Sequence, residues 1–114
     1  MKHDSPASNR KAVLDTLLLG IAGVEGGDMS GFHAYFINKK MFACITDTGV
    51  GIRLPVSVAT DLQFSRADIV PFQPNGKPST REWVQVNHDA AADYEQDMEL
   101  FRSSIAFVKA ERTR

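Results

Sequence analysis

The chain has 114 residues, 43% of them hydrophobic and 24% charged, a size and balance that suit one domain with a small core and argue against a second. Thirteen Lys and Arg stand against fourteen Asp and Glu, a formal net charge of −1; duplex DNA, whose affinity rests on phosphates neutralised by a basic excess, is not an expected partner. The one cysteine, Cys44, rules out an internal disulfide, and no apolar run approaches the ~20 residues that cross a bilayer, so a cytoplasmic protein without membrane attachment is expected.

Residues 1–7 are polar and read as a flexible tail, and Ser5-Pro6 is a helix entry, with serine as cap and proline in the first turn. Val13, Leu14, Leu17, Leu18 and Ile21 follow at helical spacing, which predicts a helix over 7–22. Asp15 interrupts this stretch and no small-residue cleavage site precedes Glu25, so it is not read as a signal segment. Gly26-Gly27 is expected to stop the helix.

From Met29 the hydrophobic period changes to two. Phe32, Ala34 and Phe36 alternate with His33, Tyr35 and Ile37 in a first strand. Asn38-Lys39-Lys40 makes a tight connection to a second, in which Met41, Ala43 and Ile45 alternate with Phe42 and Cys44. Asp47-Thr48-Gly49 turns into a third, with Val50, Ile52 and Leu54 towards the core. Short turns between consecutive strands predict an antiparallel meander. Pro55 ends it, and Ser57 is expected to cap a short helix with Val58 and Leu62 one turn apart. Ile69 to Phe72 reads as a short strand, 73–80 as a turn-rich loop, and Glu82 to Val86 as a strand with Val84 and Val86 on one face and Trp83 on the other.

Tyr94, Met98, Phe101, Ile105 and Val108 recur at three and four residues and predict a final helix over 90–109. Acidic residues in its first half and basic ones at its end complement the helix dipole. The element order is then α-β-β-β-α-β-β-α: a two-layer α+β domain over 1–114, its five-stranded, mostly antiparallel sheet carrying the helices on one face.

Several stretches, in order and at the right spacing, resemble the TfoX N-terminal domain family, also called TfoX/Sxy-like. They are Met29-Ser30-Gly31, Lys40-Met41-Phe42-Ala43, Gly51-Ile52-Arg53-Leu54-Pro55, Pro71-Phe72, Gly76-Lys77-Pro78, Glu82-Trp83-Val84 with Val86, and Ser104 with Phe107-Val108. Members often have Met-Phe-Gly-Gly where this chain has Met29-Ser30-Gly31-Phe32, and a lysine where Arg53 stands. The family is named for a bacterial regulator of natural competence, and the resemblance covers the first of that protein's two domains. It implies a two-layer α/β fold similar to secretion chaperones, and it brings no catalytic or cofactor-binding residue with it.

The residues themselves offer little chemistry. His3, His33 and His88 lack metal-ligand spacing, so no metal site is expected. Cys44 lies within an apolar strand and reads as a small buried hydrophobe and not a nucleophile. No phosphate-binding or dinucleotide glycine pattern occurs, and no cofactor is expected. Asp89, Asp93 and Asp97 read as a solvated helix face. One constellation stands out for binding: Arg53, Lys77, Arg81 and Trp83, cations around an aromatic in the style of interface anchors.

The expectation is therefore a non-enzymatic binding or regulatory domain acting through protein association, by the sheet face or an edge strand. The alternative is a small-molecule or anion-binding protein, or an enzyme, with a cleft near Arg53 and Trp83. A homodimer is expected because Leu100 and Phe107 lie off the apolar stripe of the last helix, and because Tyr35, Ile37, Phe42 and Cys44 are assigned to a second sheet face that needs cover.

Overall fold

The computed structural model of the chain describes residues 6–29, 32–46, 49–72, 82–88 and 90–110. Helix α1 (Pro6–Leu18) is followed by strands β1 (Val24–Met29), β2 (Phe32–Ile37), β3 (Lys40–Ile45) and β4 (Val50–Arg53). Helix α2 (Val56–Ser65), β5 (Ile69–Pro71), β6 (Trp83–Val86), a 3₁₀ helix (Ala91–Asp97) and α3 (Met98–Ala110) complete the order. The fold is α+β with an antiparallel sheet of six strands in the order β1-β2-β3-β4-β6-β5.

The sixth strand, β1, was not legible in the sequence. Its residues Glu25-Gly26-Gly27-Asp28 have poor strand propensity, yet all six residues of β1 pair in register with β2, from Val24 opposite Ile37 to Met29 opposite Phe32. The predicted first helix ends at Leu18, short of Ala22, where the Ile21 N–H turns back to the Leu18 carbonyl at 3.0 Å. The chain then turns into β1 at Gly23, which takes φ +88, a left-handed conformation that glycine adopts without steric cost. The Asn38-Lys39 turn joins β2 to β3, both residues having positive φ (53 and 66), the conformation of a type I′ hairpin whose twist matches the strands. Two further corrections are local. Pro55 occupies the cap position of α2 without a side-chain hydrogen bond, so Ser57 lies inside the helix, and the last predicted helix begins as a 3₁₀ helix. Of the predicted tail 1–7, residues 1–5 lie outside the described residues while Pro6 and Ala7 open α1, and the predicted loop 73–80 lies outside the described residues as well.

A bulge in β3 sets which side chains face the helices. Tyr35 pairs with Ala43 and Phe36 with Met41, which leaves Phe42 as the extra residue. Phe42 and Ala43 both join the main core, although they are neighbours in a strand. Strict alternation had placed Phe42 with Cys44 on the far face. Tyr35 and Ile37, also assigned to the far face, are buried in the main core with Leu14, Leu18, Ile52, Leu54, Val84, Val86, Phe101 and Val108. Leu100 and Phe107 pack against the same core, half-buried. The apolar residues cited for a dimer are thus largely covered within one chain.

The opposite face holds a smaller cluster in which Ala34, Cys44 and Trp83 are buried and Phe36, Met41 and Phe72 half-buried. Gly51 makes this cluster possible: a Cβ there would collide with the Phe72 ring, so the strand needs glycine for Phe72 to lie across it. Across the sheet, the carbonyl at the bulge accepts a hydrogen bond of 3.1 Å from the buried Ser104 hydroxyl on α3.

Phe42 is fully buried and Phe36 only partly so. Phe42→Ala is expected to destabilise the fold by about 3–5 kcal/mol in urea unfolding, and Phe36→Ala by clearly less. Equal losses would contradict the placement of Phe42 in the main core.

Candidate functional site

The structure brings together two of the four residues singled out in the sequence. Arg53 on β4 and Trp83 on β6 are partners in register. The Arg53 Nε and Nη2 donate to Glu82 Oε1 at 3.1 and 2.8 Å, and the guanidinium lies 5.4 Å from the centre of the Phe107 ring. Trp83 is 7% exposed, edge-on to Phe72 with ring centres 5.8 Å apart. Lys77 and Arg81 lie outside the described residues.

Cys44 is 2% exposed, and burial pushes its thiol up to about 11, a backbone hydrogen bond at Gly51 offsetting part of the effect. A thiol held protonated and enclosed is no nucleophile at neutral pH.

Two polar clusters that the sequence did not reveal lie at the edges of the sheet. The first gathers Arg66, Asp68, His88, Tyr94 and Asp97. Arg66 meets Asp68 through Nε (3.1 Å) and Nη2 (2.8 Å), and Asp97 through Nη1 (2.8 Å). His88 Nε2 lies 2.6 Å from Asp97 Oδ2 and its Nδ1 3.6 Å from Asp68 Oδ2. The Tyr94 hydroxyl donates to the Val86 carbonyl at 2.8 Å and accepts from the His88 N–H at 3.2 Å. Hydrogen bonds to Asp68 and then Asp97 raise the Arg66 guanidinium well above its ordinary value, and the same Arg66 contact lowers the Asp68 carboxyl. Burial raises the Tyr94 phenol. Asp97 is 4% exposed, which corrects the reading of this residue as part of a solvated face; Asp93 is half-buried, and Asp89 lies outside the described residues.

The second cluster joins α1 to β1 and β2. Asp15 Oδ1 accepts from the buried Tyr35 hydroxyl at 2.6 Å and lies 3.3 Å from His33 Nε2, while Lys11 pairs with Asp15 Oδ2 at 2.9 Å. Asp28 Oδ1 is 3.5 Å from His33 Nδ1. Burial works to raise the Asp15 carboxyl, but the hydrogen bonds from Tyr35 and Lys11 outweigh it and the net shift is downward. Tyr35 is raised strongly, by burial first and then by the adjacent carboxylate.

Both clusters hold the fold together more readily than they do chemistry. A histidine base needs one ring nitrogen turned to the substrate, and here both nitrogens of each ring face carboxylates. Neither cluster was readable as a motif, since each depends on contacts between residues far apart in the chain, 18 for Asp15 with His33 and 31 for Arg66 with Asp97. Among the described residues no group of three or more His, Cys, Asp or Glu is placed to hold a metal ion, and no helix is long and apolar enough to cross a membrane. A groove of about 280 Å³ lined by Ala12, Val13, Thr16, Leu17 and Glu95 runs beside α1, with few convergent polar groups to orient a ligand.

The clearest exposed feature is apolar. Phe64 on α2 is 89% exposed, Val56 on the same helix 42% and Val70 on β5 36%. Val56, Thr60 and Phe64 are spaced by four and form one exposed stripe of α2.

No protein-family model and no curated protein matches the sequence. In three dimensions the chain is similar to the crystal structure of the Deinococcus radiodurans protein DR2400, described by the family-model domain DUF419. The TM-score is 0.73 at 15% sequence identity, over 97% of this chain and 86% of that one. At this identity the likeness speaks for the fold alone, a small α+β domain.

Two measurements check the electrostatics of these sites. Thiol labelling of native Cys44 at pH 8 is expected to be far slower than in the unfolded chain and to track unfolding; prompt labelling would contradict its burial. The lowered carboxyls of Asp15 and Asp68 contribute stability above the ordinary value of 3.8 that is lost as pH falls through their folded values. Asp68→Asn should therefore lower the urea midpoint at pH 7, with the gap to wild type closing as pH falls below the ordinary carboxylate value of 3.8. A gap that stays constant with pH would show that charge is not the cause.

Proposed function

We propose that this chain is a non-catalytic protein-association domain of the TfoX N-terminal type, working in a bacterial cytoplasm. The ordered motifs from Met29 to Val108 support the family reading, and a two-layer α+β fold with an antiparallel sheet is compatible with it. The observation that carries association is the exposed stripe on α2 that runs from Val56 to Phe64, a phenylalanine that is 89% exposed. Aromatic anchors of this kind dominate binding energy where a partner encloses them. The groups able to do chemistry, by contrast, lie in contact with one another. The alternative, an anion or small-molecule site near Arg53 and Trp83, has less support, because Arg53 already meets Glu82 and Phe107 and Trp83 is enclosed.

A photo-crosslinking phenylalanine analogue placed at position 64 in the source cells should give a discrete adduct that an analogue at exposed Lys109 does not. Excess wild-type protein should compete the adduct away, and Phe64→Ser protein, whose stability should change by no more than about 0.5 kcal/mol, should not. Absence of an adduct at 64, or an identical pattern at both positions, would overturn the reading. A saturable change in Trp83 fluorescence on titration with inorganic phosphate, lost in Arg53→Gln, would establish the alternative instead.

A further inference from the structure

We propose that two copies of the chain pair antiparallel along the outer edge of β1, about a twofold axis at Gly26, to form one continuous sheet. This surface is separate from the α2 stripe and does not depend on it.

The two edges of the sheet differ. β5 has three residues and ends on Pro71, which has no N–H to offer a neighbouring strand. β1 has six residues, all in regular register with β2, and no strand on its other side among the described residues. Such an edge presents alternate N–H and C=O groups to any incoming strand.

The fold gives no steric reason for the glycines at the middle of β1. Neither Gly26 nor Gly27 has a positive φ. A Cβ at Gly26 would make only ordinary contacts of 3.5 Å with His33 and Leu19, and one at Gly27 would lie 3.6 Å from Phe36. Glycine inside a strand weakens it, and one of its recurring uses is to let another backbone come close.

The side chains around this edge suit a second copy. Leu19 is 43% exposed, and its Cδ2 lies 3.5 Å from the place of a Gly26 Cβ, so it overhangs the strand at its centre. A twofold axis at Gly26 brings the two Leu19 side chains together over the paired glycines, on the helix side of the sheet.

Charge narrows the register. In a twofold antiparallel pair, residues opposite each other lie on the same face, and like charges directly opposite are destabilising. Glu25 and Asp28 lie on opposite faces of β1 and never meet directly. Centred on Gly26, the pairing sets Glu25 opposite the side-chain-free Gly27 and Asp28 opposite Val24, whereas centring it on Glu25 would oppose the two glutamates. The Glu25 residues remain diagonal neighbours, so the dimer should tighten as salt screens them.

At micromolar concentration, light scattering should give twice the 12.6 kDa protomer mass. Gly26→Glu and Leu19→Lys should each weaken the dimer by at least about tenfold, or 1.4 kcal/mol. Gly26→Ala serves as a mild second variant, and circular dichroism checks that each one folds. Under oxidation the double variant Glu25→Cys with Gly27→Cys should cross-link between copies, since strand partners lie about 4.5–5.5 Å apart, within disulfide reach. Glu25→Cys alone should not, and Cys44 is too enclosed to interfere. Phe64→Ser should leave the mass unchanged. A monomer at all concentrations would overturn the proposal. So would a dimer that survives Gly26→Glu and Leu19→Lys, and loss of that dimer in Phe64→Ser would place the contact on α2 instead.

Discussion

The bulge at Phe42 is the constraint on which the layering of this molecule depends. A regular β3 would have turned either Phe42 or Ala43 away from the helices. The extra residue lets both face them, beside Tyr35 and Ile37 of β2, whose own regular alternation turns Ala34 and Phe36 the other way. A bulge disturbs the strand's hydrogen bonding, and the Phe42 carbonyl is satisfied across the layer by Ser104. That bond fixes α3 against β3, and Phe101, Ile105 and Val108 then fall onto the sheet. A serine in the middle of an apolar helical stripe is thereby explained as a partner for a backbone group.

The polar clusters close the same two layers at their margins. At the β1 edge, His33 stands between Asp15 of the helical layer and Asp28 of the edge strand. At the β5 edge, His88 stands between Asp97 of the 3₁₀ helix and Asp68 just before the strand, with Arg66 joining both carboxylates. Each histidine is also edge-on to a tyrosine, Tyr35 in one case and Tyr94 in the other. Charged groups that look suited to chemistry in isolation are here the joints between helix and sheet, and buried or half-buried polar groups need such partners to be tolerated at all.

Two exposed features of the fold stand out: the Val56-to-Phe64 stripe of α2 and the glycine-centred edge of β1. The face of the sheet away from the helices is not an open platform. Phe72 lies across Gly51 and against Trp83, and together they enclose Cys44. An aromatic that the sequence marks as a binding anchor therefore serves as packing, and a small domain gains a second, minor core from it.

The sequence by itself determined the α+β class, the hairpin from β2 to β3, the core face of β4 and the apolar stripe of the last helix, because period and turn chemistry are local signals. Val50, Ile52 and Leu54 alternate inward as they must, and Asn38-Lys39 turns the chain where strand pairing demands it. It also marked Cys44 as a buried hydrophobe. Only the tertiary structure decided the rest. Residues Glu25 to Asp28 of β1 have poor strand propensity, and the strand exists because β2 offers it a partner along its whole length. The side that Phe42 faces depends on one inserted residue, which moves Met41 and Phe42 out of the alternation that Ala43, Cys44 and Ile45 keep. Asp97 was legible as an acid on a helix, but its role depends on Arg66 and His88, which pairing of β5 with β6 and packing of the 3₁₀ helix bring within 3 Å. Arg66 and Asp97 are 31 residues apart, and a contact across that distance leaves no spacing to read, since it is the folded backbone that makes them neighbours.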